Sequence, residues 1–540
     1  MRLATAAVLL TALPLTPQES PTIKVTTRMV QVNVIVRDKR GPVSDLKKED
    51  FSLFEQGKPR TIASFSMTAN STSPAPSGAT KIPPNIFSNQ MDRAATASNN
   101  VTVVLLDGLN TALTDQAYAR KAVIQFLDSL HREDRIALYV LGGRLRVLHD
   151  FTSDFDQLRA ALARAKGENL GHLDASNPEL SETGNDAIDD FLNSANQKIS
   201  DFYTVDRVRR TTEALEAIAR HVSSVPGRKN LVWVSSSFPF SIGLDGPMGG
   251  TNEQRTFNEE IQRATRRLNA ANLAVYPVDA RGLVAAPLSM TAAAPGRSIR
   301  PGAAPKPSFR PSGLDTMEEM AARTGGKAFY NTNDIRGAIQ KAVEDAEVTY
   351  TLGFYPSSDD LDGKFHDLKV KVARSGIDVR HRKGYLAVDA PVPNDKQQLD
   401  DLKVAAVSPL DLTEIAVSTR LDLINEPKPG TLHITFLIDS HDLQIEKVGD
   451  KWTGAAQLMI VQVGAEQKIL ANYGESFKIN LDEDHYKAIM QKGLIIAKRV
   501  EPAKDVKQIR VLFQDKTTGK IGSLRMPVSQ ILAGKPAEKK

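Results

Sequence analysis

The segment Val101–Asp107, VTVVLLD, is a continuous apolar run that ends in a carboxylate. A strand with one wet face alternates polar and apolar residues. A strand that is apolar throughout is covered on both faces, as in a parallel sheet. Runs of the same kind return at Arg135–Gly142 (RIALYVLG), Lys229–Ser237 (KNLVWVSSS) and Leu273–Gly282 (LAVYPVDARG). Helical periodicity fills the intervals 115–130, 155–165, 205–222 and 254–271; in the first, Ala119, Val123, Phe126, Leu127 and Leu130 share one side. Strands alternating with helices specify a doubly wound α/β sheet. Leu145–Phe151 (LRVLHDF) is expected to lie antiparallel at its edge. A helix over 314–324, a strand over 327–330, a helix over 335–348 and a strand over 350–355 continue the pattern. Ligands of such sheets bind outside the carboxyl ends of the strands. Asp107 and Asp279 end apolar strands and belong at that rim.

The flanks differ. Residues 22–67 contain IKVTTRMVQVNVIVRD, in which Val30, Val32, Val34 and Val36 fall on one face, and read as a small N-terminal β unit. Residues 68–98, rich in Ser, Pro, Ala, Asn and Thr, read as a linker. Residues 167–200 look like a polar, irregular insertion, and 285–312 like a long Pro/Ala/Gly/Arg loop. Residues 364–388 alternate again and close the central domain, placed at 99–390. A polar linker over 392–400 leads to a C-terminal β-sandwich at 401–535, marked by TLHITFLIDS, AQLMIVQVG, QIRVLFQDK and SLRMPVS.

A chain of 540 residues holds several such units. Its Lys and Arg exceed its Asp and Glu by 69 − 64 = 5, interspersed rather than blocked, which gives no footprint for nucleic acid. With no cysteine, disulfides, thiolate metal sites and cysteine nucleophiles are excluded. Arg2 followed by the apolar Leu3–Leu15 fits a signal peptide, taken as residues 1–20, and the run is too short to span a bilayer as a helix. The mature protein is therefore expected outside the cytoplasm, periplasmic or secreted, with no transmembrane segment after signal removal.

VVLLDGLNT before a helix, the later RRTTEALEAIA and GRKNLVWVSSS together resemble the von Willebrand factor type A (VWFA) fold. VNVIVRDKRGPVSDLKKEDFSLFEQGKPRTIASF, VYPVDARGL, ARTGGKAFYN and YTLGFYPSSDDLDGKFHDLKVKVARSGIDVRHRKGY extend the likeness to the VWFA-related exported proteins of acidobacteria-type bacteria, over about residues 22–390. The C-terminal sandwich is similar, more loosely, to the domain that often succeeds the VWFA unit in that family. Many members are known only as exported proteins inferred from sequence, so the resemblance implies architecture more than activity.

Type A domains often carry a metal-ion-dependent adhesion site: D-x-S-x-S after the first strand, a Thr on a second loop and an Asp after the fourth strand. A hard cation such as Mg²⁺ needs oxygen ligands in near-octahedral order. On this pattern Asp107 matches the first Asp, Thr111 the second Ser, and Thr211 or Thr212 the loop Thr. Leu109 replaces the first Ser and cannot ligate. Ser235, Ser236 and Ser237 stand where the distal Asp should be. Asp279 or Asn110 is the available substitute. The resemblance thus implies a degenerate site that binds Mg²⁺ or Mn²⁺ weakly through Asp107, Thr111 and Thr211, with a dissociation constant on the order of millimolar. The alternative is that Asp107 and Asn110 cap the next helix or order its loop.

Other signals are weak. Gly326-Lys327 and Gly519-Lys520 lack the earlier glycine of a phosphate loop. The nine His residues are scattered, without H-E-x-x-H. Ser235–Ser237 lack the G-x-S-x-G elbow of a hydrolase. The leading expectation is a non-enzymatic protein-interaction or adhesion module, binding an unidentified protein through Asp107, Asn110, Thr111, Thr211, Thr212, Ser235 and Asp279. The alternatives are a structural envelope scaffold and a hydrolase.

Overall fold

The computed structural model describes residues 29–69, 85–90, 101–130, 134–165, 185–238, 252–283, 313–357, 360–387 and 394–529, apart from 427 and 429, with four further positions between 166 and 184. The signal segment 1–20 and the loop 285–312 lie outside the described residues. Among the described residues no helix is long and apolar enough to cross a membrane.

The central sheet has the order Leu273–Asp279, Lys229–Ser235, Val101–Asp107, Arg135–Leu141, Leu145–Thr152. The first four strands are parallel and the last is antiparallel. The continuous apolar runs are explained by layers on both faces. Val103, Leu105, Tyr139 and Trp233 point to one core, shared with helices Asp186–His221, Asn252–Ala270 and Gly313–Thr324. Val104, Leu138, Val232 and Tyr276 point to the other, shared with helices Leu113–Leu127, Phe155–Arg164 and Ile335–Glu344. Strand order reverses between Val101–Asp107 and Lys229–Ser235, which opens a crevice at their carboxyl ends.

Several expectations change. The strand foreseen at 327–330 is a single bridge, Phe329 to Val278. The strand foreseen at 350–355 does not join the central sheet. Val348–Phe354 pairs antiparallel with Val30–Asp38, which also pairs with Asp378–His381, while Phe51–Glu55 pairs with Phe365–Val372. The N-terminal segment and the end of the presumed α/β domain are thus halves of one two-layered β module. Its core joins Val32, Val34, Val36 and Leu53 to Tyr350, Leu352, Phe354 and Val370. An isolated short β unit cannot cover its own apolar face, so it borrows strands from 300 residues downstream.

The supposed linkers also carry structure. Helix Asp395–Val407 begins inside 392–400, with Asn394 and Gln397 in a reciprocal capping box. It buries Leu402, Ala405 and Ala406 against Val461 and Leu512 of the C-terminal sandwich. Within 68–98, Ile86–Ser88 pairs with Val417–Ile424 as an edge strand of that sandwich. Asn89 fixes it, donating from Nδ2 to the Leu412 and Ile415 carbonyls at 2.7 and 2.9 Å and accepting from the Val417 N–H at 2.8 Å. The helix foreseen over 205–222 starts at Asp186, capped by the Asn185 side chain. Much of the presumed irregular insertion is therefore helical.

Candidate functional site

Asp107 sits where its strand stops. The N–H groups of Gly108 and Leu109 both donate to the Leu141 carbonyl, at 2.7 and 3.0 Å, and turn the chain away from the sheet. Leu109, in the position of the missing Ser, is 2% exposed and joins the core around Leu105 and Trp233. The loop then brings Asn110 and Thr111 over the crevice before helix Leu113–Leu127 begins.

Both carboxylate oxygens of Asp107 are occupied. Oδ1 accepts the Asn110 backbone N–H at 3.0 Å. Oδ2 accepts the Asn110 Nδ2–H at 2.8 Å and the Trp233 indole N–H at 2.9 Å. Asn110 Nδ2 also donates to Thr211 Oγ1 at 2.9 Å, and Asn110 Oδ1 accepts from Arg207 Nε at 2.9 Å. Thr211 donates in turn to the Arg207 carbonyl at 2.7 Å, and Arg207 Nη2 donates to Ser237 Oγ at 3.2 Å. Thr111 Oγ1 accepts the Ser236 N–H at 3.1 Å. Thr212 takes no part; its hydroxyl donates to the Val208 and Arg209 carbonyls of its own helix. Burial pushes the Asp107 carboxyl above its ordinary value, opposed by the bonds from Asn110 and Trp233. Burial likewise lowers the Arg207 guanidinium, opposed by the charge of Asp107.

Asp279 is elsewhere on the rim. Its partner in register is Ser235, whose strand lies between it and Asp107, so two strand spacings of about 10 Å separate the two carboxylates. Arg281 holds it in a fork, Nη2 to Oδ2 at 2.7 Å and Nε to Oδ1 at 2.9 Å. It cannot replace the missing distal ligand.

These residues do not fit a divalent cation. The lone pairs of Asp107, Thr111 and Thr211 that would face a metal instead accept N–H donors, and the hydrogens of those donors repel positive charge. Arg207 already supplies a cation next to Asp107. The metal assignment to Asp107, Thr111 and Thr211 is corrected accordingly: the polar groups knit the rim together. The seryl hydroxyls are also committed. Ser235 donates to the Ser237 carbonyl at 2.8 Å, and Ser236 lies 3.4 Å from the Asn110 carbonyl; among the described residues neither has an imidazole or a carboxylate as partner.

The same geometry corrects the contact assignment. Asp107, Asn110, Thr111, Thr211, Thr212, Ser235 and Asp279 are all buried, none more than 5% exposed. They cannot be the surface a partner touches. Ser237, noted from sequence only as a stand-in for the distal Asp, joins the cluster through Arg207, and Trp233 and Arg207 complete it without having been singled out from sequence. The signals were present: a Trp inside a buried strand needs an acceptor for its N–H, and Arg207 lies one helical turn before Thr211.

What the cluster positions is the helix Asp186–His221. Arg207 and Thr211 fix it at rim level. About 20 residues precede Arg207, roughly 30 Å of helix at 1.5 Å per residue, and they extend past the strand ends. Along this part Ile188 (49% exposed), Phe191 (73%), Ile199 (50%), Phe202 (66%) and Val205 (36%) face solvent. At 3.6 residues per turn they fall within an arc of roughly 120°. The face continuous with Thr211, Ala214 and Ile218 carries Asn193, Asn196, Ser200 and Tyr203 instead. The amphipathic pattern is inverted, polar toward the body and apolar toward solvent.

No family model matches the chain, and no curated protein matches it. Among solved structures it is similar to an aerotolerance-related membrane protein from Bacteroides fragilis NCTC 9343, at 15% identity and TM-score 0.25 over 45% of this chain and 98% of that one. It is similar to the conserved hypothetical protein BatB from Bacteroides thetaiotaomicron, at 15% identity and TM-score 0.23 over 46% and 97%. It is also similar to a von Willebrand factor type A protein from Catenulispora acidiphila, at 8% identity and TM-score 0.23 over 93% and 75%. These superpositions are slight, and the α/β assignment rests on the strand order and direction of the central sheet itself.

Proposed function

We propose that this chain is an exported, non-enzymatic protein-interaction module that takes its partner at the strand-end face of the α/β domain, on the projecting helix. The observation that carries this reading is the inverted stripe. Two phenylalanines and two isoleucines more than 45% exposed on one helix face form a contiguous apolar patch of the kind that marks a binding surface. The buried Asp107–Asn110–Arg207 cluster is the clamp that holds the helix root. Export is supported by Arg2 and the apolar Leu3–Leu15 run.

The test uses the full mature chain as bait in envelope extract, beside the double variant Phe191→Asp/Phe202→Asp. Both side chains are solvent-exposed, so the variant should fold as the parent does. A protein captured by the parent and lost by the variant supports the reading. Capture that is unchanged moves the contact surface elsewhere and overturns it.

A further inference from the structure

We infer that the partner of the projecting helix is a second copy of this chain, docked antiparallel by the same stripe. The inference rests on the proposed interaction surface and adds what covers it. A two-fold interface is self-complementary: each residue i meets j while j meets i. The stripe has that property. Counted about a point between residues 196 and 197, Ile188 is the mirror of Val205 and Phe191 the mirror of Phe202. An antiparallel pair about that point sets each Phe191 against the other copy's Phe202, twice, with Ile188 against Val205 at both ends. The centre, around Ser194 and Ala195, is small enough to let the helix axes approach and to receive Ile199 from the other copy.

Charge selects the same orientation. The outer end of the helix carries Asp189 and Asp190, while its root carries Arg209 and Arg210, which share Asp206 and leave one net positive charge there. The Arg209 side chain is 56% exposed. Antiparallel docking places the acidic end of each helix toward the basic root of the other and opposes the two helix dipoles. Parallel docking stacks like charge on like. A lipid surface fits poorly. Helices that lie on membranes flank their apolar face with Lys and Arg, and residues 187–205 hold Lys198 as their one cation against Asp189, Asp190 and Asp201. Two phenylalanine rings and three branched aliphatics per copy make a patch of several hundred Å², the apolar centre of an interface whose usual size of about 800 Å² per partner the flanking polar side chains of the helix complete.

The experiment measures the mass of the full mature chain by light scattering and sedimentation across a concentration series, in the absence of other proteins. The parent should run at twice the chain mass, with a melting temperature that rises with concentration, and Phe191→Asp/Phe202→Asp at the single-chain mass, with the parent's circular dichroism spectrum and a concentration-independent melting temperature. The chain has no cysteine, so Ala195→Cys introduces a lone thiol about 4.5 Å along the axis from its symmetry mate, at 1.5 Å per residue. Mild oxidation should convert that variant to a covalent dimer. A parent that stays monomeric, a dimer that survives the double aspartate variant, or an Ala195→Cys dimer that does not cross-link overturns the inference. A monomeric parent that still captures an envelope protein through Phe191 and Phe202 overturns the self-association alone and leaves the interaction surface standing.

Discussion

Trp233 donates its indole N–H to Asp107 Oδ2 at 2.9 Å, joining the carboxyl-end portions of two adjacent parallel strands at the point where strand order reverses. A carboxylate is costly to bury unless its lone pairs are met. Here an indole and an asparagine meet them, where a type A domain that holds a cation would leave them open.

Removing that donor should be felt as stability. Trp233→Phe keeps most of the packing against Phe238, whose ring stands 4.7 Å away, but leaves Asp107 Oδ2 one bond short. An unmet buried acceptor costs about 1–3 kcal/mol, and a charged one more. Urea denaturation of Trp233→Phe and Trp233→Phe/Asp107→Asn measures it. The second variant should recover part of the loss, because the neutral amide tolerates a missing donor better. Equal losses in both would show that the ring volume, not the hydrogen bond, is what matters.

Divalent cations should leave the protein unmoved. A ligand that binds only the folded state raises stability by RT ln(1 + [L]/Kd), so even a millimolar site gives about 1.4 kcal/mol at ten times its Kd. With the oxygens of Asp107, Thr111 and Thr211 turned to N–H donors, the melting temperature should not respond to Mg²⁺ or Mn²⁺ beyond the ionic-strength effect of a matched monovalent salt. A stoichiometric shift that Asp107→Ala abolishes would show that the cluster opens to admit metal.

The docking of the C-terminal sandwich should depend on pH. His221, at the end of the long helix, is buried; its Nδ1 bonds the Asp411 carbonyl at 2.6 Å and its Nε2 lies 3.5 Å from Asp150 Oδ1. Burial alone would lower its pKa, but the bond to Asp150, that carboxylate's charge and the Asp411 carbonyl raise it overall. Burial would also raise Asp150, yet the bond to His221 and its charge hold it down at about 2. A raised histidine stabilises fully below its unfolded value and loses that contribution as pH rises through the folded value. A depressed aspartate stabilises above its unfolded value and loses it as pH falls toward 2. The latch is tightest between about pH 4 and 6.5, the two unfolded values. Asp150 is half exposed, so the effect is partly screened. His221→Gln should lose most stability near pH 6 and least above pH 8, roughly, by urea titration at a series of pH values. A difference that does not vary with pH would sink this account.

The central sheet was legible because apolar runs buried on both faces have no competing reading, and Asp107 was legible because it ends one of them. The β module of 30–69 and 348–387 was not. Its strands alternate correctly, but pairing across 300 residues leaves no local mark. The helix before 205 was missed for a physical reason. Its polar face, with Asn193, Asn196 and Ser200, is the one turned inward, and its few large apolar residues, Ile188, Phe191 and Phe202, are spaced among Asp, Asn and Ser and face solvent, so the segment resembles a polar loop in sequence. Helix Asp395–Val407 hid behind its charge: only Leu402, Ala405 and Ala406 mark its inner side. The rim residues were located correctly and misread in role, because a hydroxyl or carboxylate at a strand end looks the same in sequence whether it faces solvent or a neighbouring N–H.

Asn110 ties the rim to the projecting helix, and its loss should loosen one without melting the other. Its amide donates to Asp107 and Thr211 and accepts from Arg207. Asn110→Ala leaves the Asp107 carboxylate and the Arg207 guanidinium short of a partner at 2% and 3% exposure, for a cost of about 1–3 kcal/mol per group. The strands remain held by the ladders of the sheet and by the cores on both of its faces. Among the described residues, the part of the helix before Val208 gives no side chain to the buried apolar core beside the sheet, so its root carries a larger share of its attachment. Hydrogen exchange should therefore rise most along 187–206, with little change in Val101–Asp107 or in the strands of the C-terminal sandwich. Asn110→Asp should do as much damage, since it sets a second carboxylate against Asp107. Uniform acceleration across the chain, or none along 187–206, would show that the cluster does not anchor this helix.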